Sequence, residues 1–260
     1  MGRTNLLMLI ALVAVVTVCS YPGKANESPI NRRSYEKQGV VWDVRTDRKV
    51  IALTFDDGPN PNYTPKILDL LKEYQARATF FVTGTQVKKY PQIAKRQVLE
   101  GHELGNHTYG HPKMSALGAQ QIVKELIRTE QAIVAATGKQ PPRLFRPPGG
   151  YLDPVLVTGA RQAGYTTVLW SFHQDTQDWK RPGVSKIVNK VVHSARRGDI
   201  VLLHDHGGNR SQTVRALKRI LPELQKRGYR FVTVSELLHE KEIKEIYNIH
   251  FMEEKNHSPS

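Results

Sequence analysis

The chain has 260 residues, is 39% hydrophobic, and carries a formal net charge of +14 with one cysteine. That apolar share excludes a disordered chain, and the length suits one domain with a sizeable core once terminal segments are set aside. A single cysteine, Cys19, excludes a disulfide framework, and its place near the N-terminus excludes thiolate metal ligands and a cysteine nucleophile in the processed chain.

Arg3 is followed by a nearly unbroken apolar run from Leu6 to Val18. The run is too short for a comfortable membrane span and suits a signal peptide. The small residues of Gly23-Lys24-Ala25 favour cleavage after Ala25. Cleavage after Ser20, or retention as an N-terminal anchor, are the alternatives. Val18 is bulky, which argues against lipidation of Cys19. The protein is thus expected to be exported, at the cell wall or the outer face of the membrane. Removal of residues 1–25 takes away Arg3 and Lys24 and leaves +12. Such a field attracts anionic partners. Export argues against nucleic acid and favours an anionic cell-wall polymer or a membrane surface.

Residues 26–38 are polar and read as a linker. Val40-Val41-Trp42 and Val50–Leu53 flank Thr46-Asp47-Arg48, which predicts a hairpin. Short apolar strands then follow at Val50–Phe55, Thr79–Val82, Glu103–Gly105, Leu144–Phe145, Thr166–Trp170, Ile200–Leu203 and Arg230–Thr233. Helical patterns lie between them at Thr64–Tyr74, Pro91–Glu100, Ala119–Thr137, Pro154–Ala163, Val184–Ser194 and Ser211–Lys226. In the third helix Ile122, Leu126, Thr129 and Ile133 share one face. Strand–helix alternation implies a parallel α/β sheet or barrel, and seven strands favour barrel-like closure. The catalytic domain is expected over residues 39–238, with a charged tail at 239–260. In such folds reactive groups sit at the C-terminal ends of strands.

The polar oddities fall at those ends. Asp56 and Asp57 close the first strand, and two adjacent carboxylates there are costly without a cation or proton. A turn at Asp57-Gly58-Pro59 explains one of them, not both. His107 and His111 follow the third strand at a spacing of four, which predicts one side of a helical turn. With Asp57 they make a two-histidine, one-carboxylate set, a ligand count known for catalytic zinc. Arg146 ends the fourth strand in Arg146-Pro147-Pro148-Gly149-Gly150, where it can hold a carboxylate ionised. Asp175-Thr176-Gln177-Asp178-Trp179 sets a carboxylate beside an aromatic, which suits a sugar pocket. His204 ends the sixth strand before Asp205, a natural place for a general acid or base.

Together these motifs resemble the polysaccharide deacetylases, carbohydrate esterases that share the NodB homology domain. TFDDG at Thr54–Gly58, HTYGH at His107–His111, RPPGG at Arg146–Gly150, DTQDW at Asp175–Trp179 and LLHD at Leu202–Asp205 occur in the family's order. The resemblance spans roughly Val50 to Leu238. It implies a deformed (β/α) barrel with about seven parallel strands in a single catalytic domain. It implies Asp56 as catalytic base and Arg146 as the group that orients it. Asp57, His107 and His111 would hold a divalent metal, zinc by preference, with cobalt or another ion as alternatives. His204 would be the general acid, tuned by Asp178. Pro148, Gly149, Trp179 and Leu202 would face the substrate, with the Gly149 N–H against the oxyanion. Where the family often has an aromatic, this chain has Gly149, which removes a side-chain wall.

The resemblance implies a monomeric hydrolase that removes N-acetyl groups from peptidoglycan or a chitin-like oligosaccharide. Export and charge lean towards peptidoglycan. Three alternatives share these residues: an acetylxylan O-deacetylase, a non-catalytic wall-binding protein on the same fold, and a non-haem iron oxygenase. No motif residue is missing, which argues against the second; the histidine spacing and His204 argue against the third.

Overall fold

The computed structural model describes residues 31–240. The expected export segment, its candidate cleavage sites and most of the expected tail lie outside the described residues. Seven strands form one sheet: β1 Val50–Asp56, β2 Ala78–Val82, β3 Glu103–Asn106, β4 Leu144–Phe145, β5 Thr166–Thr167, β6 Asp199–His204 and β7 Arg230–Phe231. Every pairing is parallel, in the order β5-β4-β3-β2-β1-β6, and β7 pairs with Val50 and Ile51 at the start of β1. Around it, among the described residues, lie α1 Arg32–Lys37, α2 Thr64–Glu73, α3 Gly84–Lys89, α4 Pro91–Leu99, α5 Ala119–Thr137, α6 Pro154–Gln162, α7 Val184–Ser194 and α8 Ser211–Lys226. Residues 234–240 are also helical.

The period of two decides what faces the barrel axis. In β1, Ile51, Leu53 and Phe55 join the cluster under the helices, while Val50 and Ala52 join the cluster inside the barrel. Thr54 and Asp56 continue that inner row. In β6, Val201 and Leu203 face the helices and Ile200 faces inward, so Leu202 and His204 follow it on the inner row. Phe81 fills the interior beside β3, where a Cβ on Gly105 would stand 2.6 Å from its ring. Helix α5 buries Ile122, Leu126, Thr129 and Ile133, the face its sequence predicts, and ends on Gly138 at φ 72°.

The barrel is deformed because β4 and β5 hold two residues each. Irregular chain closes the gap. Ser171 N–H donates to the Ile200 carbonyl at 3.0 Å, and Asp175 bridges Leu202. The expected hairpin at Val40–Leu53 does not form. Val41 bridges Val168 and Asp43 bridges Asp199, so this segment plugs the opening between β5 and β6 with Val40, Trp42 and Val44. Burial of those three apolar side chains outweighs local pairing. Part of the expected linker is structured as well: α1 covers Arg32–Lys37, and its Tyr35 packs against the cluster that contains Trp42.

Candidate active site

Asp56 and His204 are partners in the β1–β6 register. Adjacent strands lie about 4.8 Å apart, so two inward-facing side chains at the same level stand side by side. Each has its own support. Arg146, fully buried, donates from Nη1 to Asp56 Oδ1 at 2.8 Å and to Thr54 Oγ1 at 2.7 Å. Its Nε and Nη2 donate to the carbonyls of Val168 and Leu169. The guanidinium lies 4.0 Å from the Phe81 ring centre. Burying an unpaired charge costs several kcal/mol, which this full set of partners offsets. On the other side, Asp178 Oδ1 meets His204 Nδ1 at 2.7 Å, and its Oδ2 accepts from the His204 N–H and from Thr213 Oγ1.

Burial opposes a charge on His204, but the hydrogen bond and charge of Asp178, with Asp56 and Asp57, prevail and raise its pKa above the ordinary histidine value. The same contact works in reverse on Asp178, where burial opposes ionisation and His204 nonetheless holds the carboxyl below its usual range. With Nδ1 committed to Asp178, Nε2 is the atom left to deliver a proton.

Asp57 steps out of the β1 ladder at φ 79°, a conformation that aspartate tolerates better than most residues. Its Oδ1 lies 3.4 Å from His107 Nε2 and 3.4 Å from His111 Nε2. Burial favours the neutral carboxyl, but the hydrogen bond and charge of His107, with His204 and His111, hold Asp57 well below the usual carboxylate range. His111 is held below the ordinary histidine value by burial and by His107. An ionised carboxylate and a neutral imidazole are what a divalent cation requires. The three ligand atoms lie within 4.8 Å of one another, so the set fits such an ion. His107 Nδ1 is 2.7 Å from the Arg146 carbonyl, which fixes the tautomer that presents Nε2.

The segment His107–His111 is not a helical turn, contrary to its spacing. Thr108 and His111 both have positive φ, at 66° and 54°. Glu125 Oε2 on α5 accepts the N–H groups of Tyr109 and Gly110, and Asn106 Oδ1 accepts that of Thr108. These side chains outbid local helix formation and still aim both imidazoles at Asp57.

A cleft of about 370 Å3 opens above these groups, and Gly149, Trp179, Leu202 and Asp175 line it. Trp179 is half exposed and Leu202 is buried. Pro148 is buried and is not among the cleft-lining residues. Sequence reasoning missed Trp170 and Arg210, which also line the cleft, and the supporting hydroxyls of Thr54 and Thr213. Thr54 carried one usable signal, a polar residue on the inner row of a buried strand. Asp205 lies behind the site. Burial, with the nearby Asp57 and Asp56 charges, pushes its carboxyl up to about 7 against a hydrogen bond from Thr64, and it packs where a Cβ on Gly58 would stand.

The sequence pattern of the family described as polysaccharide deacetylase matches residues 43–168. A peptidoglycan-N-acetylglucosamine deacetylase of Bacillus cereus is 52% identical over 211 residues, 81% of this chain and 98% of that protein. The chain belongs to the polysaccharide deacetylase family. A chitooligosaccharide deacetylase of Sinorhizobium fredii is 43% identical, covering 69% of this chain and 87% of that protein. Among solved structures, a peptidoglycan N-acetylglucosamine deacetylase in complex with an N-hydroxybenzamide superposes with a TM-score of 0.74 at 36% identity, covering 79% of this chain and 95% of that one. As a polysaccharide deacetylase the chain is a metal-dependent hydrolase of acetylated amino sugars, and the deformed barrel is the family's architecture.

Proposed function

We propose that this protein is an exported enzyme that removes the acetyl group from N-acetylglucosamine in peptidoglycan. The observation that carries the reading is the register pairing of Asp56 with His204 beside the Asp57–His107–His111 set. A base and an acid on neighbouring strands can act on opposite sides of one reaction centre.

Asp57, His107 and His111 would hold a divalent cation, zinc by preference, which would supply Lewis-acid activation when bound. Asp56, aligned by Arg146, takes the proton of the attacking water. His204 delivers a proton from Nε2 to the departing amine, which is otherwise a very poor leaving group. Gly149 offers its N–H to the oxyanion, and Leu202 with Trp179 encloses the acetyl methyl.

The 52% identical relative supports peptidoglycan as substrate, and the N-terminal apolar run with the basic charge supports action outside the cell. The test is amine and acetate release from peptidoglycan, chitooligosaccharide and acetylxylan in parallel. Peptidoglycan is expected to give the highest kcat/KM, and Asp56→Asn to lose about 10²–10⁴-fold on every substrate. Acetate release from acetylxylan with no amine from either amino-sugar polymer would overturn the reading.

A further inference from the structure

The loops at the N-terminal ends of the strands, opposite the cleft, form a basic face. Arg45, Arg48 and Lys49 precede β1, Arg196 and Arg197 precede β6, and Arg227 and Arg230 flank the turn into β7; all are exposed. Asp47 is the single acid in these three stretches. Glu240 answers Arg48 and Glu223 answers Arg227. Arg45, Arg196 and Arg230 form no salt bridge among the described residues.

The face is built, not a chance scatter. Lys49 Nζ donates to the Arg227 carbonyl, Arg197 Nη1 to the Asp47 carbonyl, and the Arg230 N–H to the Lys49 carbonyl. The cleft end is balanced instead, since its loops set Asp57, Asp153, Asp175, Asp178 and Asp205 against Lys113, Arg146, Lys180, Arg181 and Arg210.

A second observation points to the kind of partner. Phe172, 86% exposed, lies in the turn that packs on Asp199 at the start of β6. Its turn is pinned there: Asp199 Oδ2 accepts from His173, from Gln174 and from the Arg196 N–H, while Ser171 Oγ donates to the Trp42 carbonyl. A bare aromatic in a turn that shares Asp199 with the Arg196 backbone suits the headgroup boundary of an anionic bilayer, which takes the ring and the charges together. A water-soluble polyanion would engage only the charges. Arg32, the first residue of α1, lies on this side as well, since it pairs with Asp43, which bridges Asp199.

We infer that this face docks on an anionic phospholipid surface, with Phe172 entering the interface and the cleft turned away towards the wall polymer. The inference rests on the export reading above, but vesicle binding by the purified full chain tests the face itself. Vesicles with and without phosphatidylglycerol separate the contribution of charge from any held by the N-terminal apolar run. Arg45→Glu/Arg196→Glu/Arg230→Glu should lower partitioning onto anionic vesicles by roughly a hundredfold at low salt and leave neutral vesicles unaffected. The milder Arg45→Gln/Arg196→Gln/Arg230→Gln should lose roughly tenfold, and Phe172→Ala several-fold on anionic vesicles. Lys66→Glu/Lys124→Glu/Lys218→Glu, on the helical wall, should lose far less. Deacetylase activity on soluble oligosaccharide should be unchanged in all of them, which certifies folding. Equal losses from the wall and face variants would overturn the inference. So would tight binding of soluble polyglycerol phosphate with no preference for anionic vesicles.

Discussion

Asp178 never needs to touch the substrate to set the reaction's pH range. Its two oxygens hold the ring and the backbone of His204, and Thr213 completes its shell. His204 is raised from its ordinary value although burial opposes it, and an acid catalyst works only while it keeps its proton. Activity should therefore fall as pH rises through that elevated pKa. Asp178→Asn removes the charge that favours the imidazolium and keeps a similar shape. The alkaline limb of the kcat/KM profile should move to lower pH by at least about one unit. Loss at neutral pH should be large, with partial recovery on acidification as His204 regains its proton. A uniform loss at every pH would mean that Asp178 only supports the fold.

At the scale of elements, the strands did most of the positioning, and the sequence was readable where one strand spoke for itself. β1, β2 and β6 are buried and mostly apolar, and α5 repeats its buried face over 19 residues. Asp56, Asp57, Arg146 and His204 were legible because each interrupts or ends such a run. What was not legible depended on partners far along the chain. Thr54 is tied to Arg146, 92 positions away, and Thr213 to Asp178, 35 away. α3 opens on a glycine and buries only Val87 and that glycine, so periodicity could not announce it. The hairpin reading failed because Val41 and Asp43 found better neighbours at Val168 and Asp199. That plug depends on Gly198, at φ 81°, where an added Cβ would stand 1.7 Å from the Val44 carbonyl oxygen. Gly198→Ala combines a left-handed residue with a backbone clash and should cost more than about 1 kcal/mol. At about 2–4 °C per kcal/mol for a domain of this size, calorimetry should find Tm several degrees lower. A Tm within one degree of the parent, by the same rough scale, would show that the plug contributes little.

At the scale of the molecule, the fold and the ion are separable. Three hydrophobic clusters, under the helices, beside α6 and inside the barrel, close without any metal ligand. The ligand loops are also held independently, by Glu125 at Tyr109 and Gly110 and by the Arg146 carbonyl at His107. This is the reverse of a zinc finger, whose folding free energy is its metal affinity. Chelation should therefore abolish deacetylation while the far-UV circular dichroism stays as it was. The ion still binds only the native state, so it adds RT ln(1 + [M]/Kd), about 2.7 kcal/mol at a hundredfold excess over Kd. Readdition of zinc or cobalt should restore activity and raise Tm by about 5–10 °C. His111→Ala should lose both the activity and that concentration-dependent rise, because its half-exposed ring serves the ion and not the core. Unfolding on chelation would instead mean that Asp57, ionised among imidazoles, cannot be kept in place by the barrel alone.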